Sequence, residues 1–168
     1  MYKKYLVIAL LSLMFIDCKE EKSNVIDSNI KGNWYLYSVD SVMEKPTIDY
    51  NEVFFNDNTM YRFSSVSGFL NPIFYQVSKD SLFYGEPNQT DYIGKLNFKS
   101  KDTLLIAYEN DTLVLYKLVD EKKLMSDYLN IDVTIDKKIF KKFGESHEEK
   151  FLNHFLSRMQ RCYKSVVK

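Results

Sequence analysis

NEVFFNDNTMYRFSS (51–65) reads as two short β-strands joined by a tight turn. Val53, Phe54 and Phe55 enter the turn Asn56-Asp57-Asn58, and Thr59 to Phe63 leave it. Aromatic and β-branched residues fit a pleated, half-buried surface, whereas Asn and Asp favour turns. Further runs of the same kind stand on both sides: NWYLYSVDSV (33–42), PIFYQVS (72–78), SLFYGE (81–86), DYIGKLNFK (91–99), TLLIAYE (103–109) and TLVLYKLV (112–119). Lys79-Asp80, Lys101-Asp102 and Asn110-Asp111 separate them with two-residue hairpin chemistry. Eight short strands at this spacing predict an antiparallel sandwich or barrel.

Alternation sets the faces. Tyr61 and Phe63 oppose Met60 and Arg62, and Tyr92, Leu96 and Phe98 oppose Lys95, Asn97 and Lys99. TLLIA and TLVLY are apolar on both faces, so they need an outer cover, for which residues 120–168 are the candidate. There, Leu129, Ile131, Val133 and Ile135 alternate with Asn130, Asp132 and Thr134, which predicts a ninth strand. Ser146 and Glu149 form a capping-box pattern that predicts a helix over 146–166, about 30 Å long. Its stripe is Phe151, Leu152, Phe155, Leu156, Met159, Cys162 and Tyr163. The same strand–helix extension also fits the start of a second small α+β unit.

The N-terminal segment has a separate meaning. Lys3 and Lys4 precede the apolar run YLVIALLSLMFI (5–16), and Asp17-Cys18 opens a polar stretch. Twelve helical residues reach ~18 Å, short of a bilayer core of ~30 Å, which fits the apolar part of an export signal rather than a span. Residues 1–17 are therefore expected to be a signal peptide, and residues 18–29 a tether with a reach of about 18 Å. Removing residues 1–17 takes away Lys3, Lys4 and Asp17, leaving 21 basic and 22 acidic residues in 151. That balance gives no electrostatic reason to expect nucleic acid, and the length is enough for one domain with a core.

The residues around Cys18 resemble the lipobox of lipoproteins cleaved by signal peptidase II. Phe15 and Ile16 follow the motif; Asp17 departs from it, since Gly, Ala or Ser usually stands there. The resemblance implies that Cys18 carries acyl chains such as palmitate and becomes the mature N-terminus. Lys19-Glu20-Glu21 resembles the Lys-acid-acid export signal of Bacteroidota lipoproteins, which implies an outer-membrane anchor facing the cell surface; the periplasmic side is the alternative. With two cysteines in the chain, a lipidated Cys18 leaves Cys162 unpaired, and a Cys18–Cys162 disulfide is the competing arrangement.

Ile30-Lys31-Gly32-Asn33-Trp34 resembles the opening of lipocalin-like domains, in which a Gly-x-Trp closes one end of the barrel. The resemblance covers residues 30–119 and implies an eight-stranded up-and-down barrel that carries small apolar molecules or has no known activity. Gly32 and Trp34 are its matching residues, and no ligand-contacting set is carried over. An eight-stranded barrel either holds one small ligand or is filled by its own side chains. With 13 Tyr and 12 Phe available, a filled interior is the slightly favoured expectation.

No catalytic residue, metal ligand or cofactor is assigned. His147 and His154 lie seven apart, not at the i, i+4 spacing of helical metal ligands. Ser65-Val66-Ser67-Gly68 is not a nucleophile elbow, and acid pairs such as Glu86 with Asp91 sit in turns. Lys137, Lys138, Lys141 and Lys142 form a basic face suited to solvent or to anionic headgroups. Tyr35, Tyr37, Tyr61, Tyr75, Tyr84 and Tyr92 are expected in the core and barrel girdle. The alternative is an aromatic face that docks an envelope protein, as an inhibitor or adaptor would. The sequence thus points to a lipid-anchored, non-catalytic β-barrel with a small apolar ligand, and second to an interaction module.

Overall fold

The computed structural model describes residues 29–40, 47–86, 89–119, 121–129 and 137–166. Eight strands run in chain order: β1 (Gly32–Asp40), β2 (Thr47–Phe55), β3 (Thr59–Ser64), β4 (Gly68–Ser78), β5 (Ser81–Glu86), β6 (Gln89–Ser100), β7 (Thr103–Tyr108) and β8 (Asp111–Lys117). Each pairs antiparallel with the next, and β8 returns to β1 through Trp34–Lys117 and Tyr35–Tyr116. The result is a closed up-and-down barrel of lipocalin-like architecture, one of the two folds the hairpin spacing allows and the one the resemblance at Gly32 and Trp34 implies. Closure gives every strand a neighbour on both sides. Two helices follow: α1 (Met125–Tyr128) and α2 (Lys137–Val166).

Three bulges set which side chains face inward. In β4 an extra residue lies between Leu70 and Ile73, opposite Arg62 and Met60, and Pro72 occupies that interruption. Proline lacks the ladder donor, so a bulge is where a strand accommodates it. In β6, Leu82 pairs with Gly94 and Phe83 with Tyr92, so the extra residue lies at Ile93-Gly94. A Cβ on Gly94 would stand 2.7 Å from the Ala107 carbonyl oxygen, which explains the glycine. This slip corrects the expected face of Tyr92. Leu96 and Phe98 point inward, whereas Tyr92 lies 45% exposed and packs on Phe83 and Tyr108. A third bulge, at Lys99, separates the pairs Phe98–Leu104 and Ser100–Thr103.

Two cores result, one on each side of the barrel wall. The inner core gathers Ile30, Trp34, Val53, Phe55, Tyr75, Leu82, Leu96, Leu104, Ile106 and Leu115. The outer core lies between the wall and the helices and is dominated by rings: Tyr50, Tyr61, Phe63, Phe140, Phe151 and Phe155, with Met125 and Leu129. Phe63 of β3 packs on Phe151 and Phe155 of α2, with ring centroids 4.7 and 4.9 Å apart. Among the described residues the C-terminal region therefore does supply an outer cover, but on β2, β3 and β4 and not on β7 and β8, the strands for which the sequence predicts it.

The helix begins earlier than the capping-box pattern predicts. It runs from Lys137, and Ser146 sits inside it, its hydroxyl donating to the Phe143 carbonyl at 2.9 Å. A serine inside a helix bonds back to the preceding turn instead of capping. Phe140 and Phe143 extend the apolar stripe into this first part and pack on Phe69 of β4, 6.2 and 5.4 Å away between centroids. That packing offsets the ~1 kcal/mol cost of Gly144 within the helix. The strand expected over 129–135 falls outside the described residues, apart from Leu129, which ends α1 and is buried in the outer core.

Candidate ligand-binding cavity

The barrel interior is not filled. A cavity of about 570 Å³ lies within it. This corrects the expectation of an interior packed with rings, and the reason is the outer core. Tyr35, Tyr37, Tyr50, Tyr61, Phe63 and Phe69 all sit on the wall's outer side. The alternate positions of the same strands face inward and carry aliphatic side chains: Leu36 on β1, Val53 on β2, Met60 on β3 and Leu70 on β4. Leu82, Ile93, Ile106 and Leu115 complete the chamber from β5 to β8. Ligand pockets for small molecules span about 300–1,000 Å³ and are mostly apolar with a few polar groups. The chamber matches both properties.

One end of the chamber is closed. Trp34 is fully buried, and its indole N–H donates to the Ile30 carbonyl at 2.7 Å. Phe98 packs on its ring, and the Lys117 ammonium lies 5.1 Å from the ring centroid. Gly32 has φ +119° and approaches the Lys117 stem, so a left-handed backbone and a close neighbour both favour glycine there. Phe55 and Tyr75 close the rest, 5.2 Å apart, and the Tyr75 hydroxyl donates to the Asn56 carbonyl at 2.5 Å. At the far end, Tyr84 is 39% and Leu113 49% exposed, although both line the cavity. The chamber therefore opens there.

Its polar groups are few. Arg62 points inward, opposite Val53 on β2 and Leu70 on β4. Its Nε is inaccessible and has no hydrogen-bond partner among the described residues. Burial pushes the guanidinium pKa down. The other charged residue along the lining, Glu52, is committed elsewhere. Its carboxylate accepts from Arg158 Nε at 2.7 Å and Nη2 at 2.8 Å, and from the Tyr50 hydroxyl at 3.0 Å. The two side chains of that ion pair are 3% and 1% exposed, so the bridge is buried between barrel and helix. Burial opposes the Arg158 charge, and Glu52 more than offsets this, so its pKa is raised. Burial, then the Glu52 charge, pushes the Tyr50 pKa up.

Of the residues singled out in the sequence, Gly32 and Trp34 are brought together at the closed end. Cys18, Lys19, Glu20 and Glu21 lie outside the described residues. His147 is tied to its own helix, its Nδ1 lying 2.7 Å from the Ser146 hydroxyl and 3.0 Å from the Phe143 carbonyl. Cys162 is half-buried, and burial pushes its thiol pKa up, away from a nucleophile's range. Among the described residues no cluster of His, Cys, Asp and Glu is suited to a metal. Arg62 and the Glu52–Arg158 pair were not singled out in the sequence. Arg62 and Glu52 show only a charge within a strand, and Arg158 only a charge within a helix, which usually mark the solvent face. Profiles of protein families, curated proteins and solved structures were all compared with the chain, and none matches.

Proposed function

We propose that the chain is a lipid-anchored envelope lipoprotein that binds one small hydrophobic ligand inside its barrel and performs no chemistry on it. The observation that carries the binding role is the cavity of about 570 Å³ walled by aliphatic side chains and open at one end. A void of this size in an interior that otherwise packs like a crystal forgoes contacts, and an apolar occupant restores them. Of the tyrosines that would serve a protein partner, Tyr61 is covered by α2 and Tyr75 lies in the inner core, which favours the ligand reading over the docking one. The anchor rests on the leader at residues 1–17 followed by Cys18. One acyl chain holds a protein only marginally; two or three chains on one residue make release negligible.

Two measurements test the two halves of this reading. Titration with a neutral fluorescent naphthylamine probe is expected to saturate at one site per chain. It should weaken when Leu70→Trp fills the chamber; a probe response that Leu70→Trp leaves unchanged rules the cavity out. Labelling with an alkyne fatty acid is expected in the wild type and not in Cys18→Ala. Equal labelling of the two removes the anchor.

A further inference from the structure

We infer that the chamber takes an anionic amphiphile, a carboxylate with an apolar body, and that Arg62 is the group that receives its charge. This rests on the ligand-binding reading above and names the ligand class. Arg62 is the only cation among the described residues that line the cavity. It stands half-buried among aliphatic neighbours, opposite Val53 and Leu70, with its Nε inaccessible and unbonded. A buried donor without a partner loses its hydration and gains nothing in return, and native proteins seldom leave one so. The nearest acid along the lining cannot serve it, because the Glu52 carboxylate is engaged by Arg158 and Tyr50. No partner stands among the described residues, and the missing one is assigned to the ligand.

The chemistry of that partner follows from the site. A guanidinium offers a planar fork that matches two oxygens of a carboxylate or a phosphate. One cation balances one negative charge, and a phosphate monoester would leave part of a second charge uncompensated between apolar walls. A monoanion fits, and a carboxylate is the simplest. Its apolar tail would lie along the aliphatic lining, from Met60 and Ile73 toward Leu82 and Leu115.

Binding of dansyl-undecanoate and of its methyl ester to the purified full chain tests this. The two probes share a body and differ in charge. The acid is expected to bind about tenfold tighter than the ester, the size of a charge-assisted hydrogen bond. In Arg62→Met the preference for the acid over the ester should fall to within about twofold. The unliganded variant should also melt higher, since a half-buried charge with an unbonded Nε is gone. Arg62→Lys keeps the charge without the fork, so a reduced preference for the acid is expected to persist. Equal binding of acid and ester by the wild type overturns the assignment and leaves the cavity reading intact. So does a preference that Arg62→Met leaves unchanged, or a fall in its melting temperature. If neither probe binds, the cavity reading falls and this one with it.

Discussion

The two cores share four strands and differ in almost everything else. On the outer side of β1 to β4, rings pack on rings, and the helices seal them with Phe140, Phe151 and Phe155 at 1% exposure or less. On the inner side the same strands present Leu36, Val53, Met60 and Leu70 around a void. Pleating makes this possible, because successive side chains leave a strand on opposite faces. The comparison teaches that aromatic density does not locate the middle of a barrel. Here the rings hold the helices to the wall, and the smaller side chains leave room inside. The outer core is sealed by rings, and the inner one encloses a void.

The comparison can be broken first where the effects are largest. Phe151→Ala in the sealed outer core should cost about 3–5 kcal/mol, as large-to-small changes in dense cores do. Ile73→Ala, on the half-buried cavity wall, should cost about 1 kcal/mol, since part of its surface already faces the void. Urea unfolding of both variants checks this, and equal costs would erase the distinction between the cores. Arg158→Ala should also cost about 3–5 kcal/mol, because it leaves the Glu52 carboxylate buried without its partner. Adding Glu52→Leu to Arg158→Met should recover most of that loss; if it does not, the bridge is more than a paired charge.

Enlargement is the next test, and it has the opposite sense. Phe151→Trp should overpack the outer core and cost about 1–3 kcal/mol, whereas Leu70→Phe should change stability by less than about 1 kcal/mol. The smallest effect is a dependence on pH. Tyr35, Tyr50 and Cys162 flank the outer core, and burial raises the pKa of each. The unfolded chain ionises such groups near their ordinary values of 9.0 and 10.0, while the folded chain resists. Their contribution is therefore complete below about pH 9 and declines as pH rises through 10. A urea midpoint that is flat between about pH 8 and 10.5 would contradict this.

How much of this was legible in the sequence depends on how local the signal is. The hairpin at 51–65 is visible because Asn56-Asp57-Asn58 and the alternation around it lie within one short window. The stripe from Phe151 to Cys162 is visible for the same reason. Which face of β3 points inward is not, because Tyr61 and Phe63 look like core and Arg62 looks like surface. Only α2, far along the chain, reverses that reading by covering Tyr61 and Phe63. The bulge at Ile93-Gly94 is invisible as well: one extra residue turns every later side chain to the other face. Gly32 and Trp34 were found because their motif is contiguous. Arg62 was missed because its partners, Val53 and Leu70, come from two other strands.

The seam between β1 and β8 gives the barrel a mechanical character. Among the described residues the ladder there is short, running through Trp34–Lys117 and Tyr35–Tyr116, with one further bond from the Leu118 amide to the Asn33 carbonyl. Every other joint in the hoop is longer. The seam is riveted by side chains instead: Tyr116 stacks on Tyr35 and Tyr37 outside, and Lys117 covers Trp34 inside. Asn33 adds a strap to α1 through Ser126. The barrel is thus a hoop with a clasp, closed more by side chains than by backbone bonds.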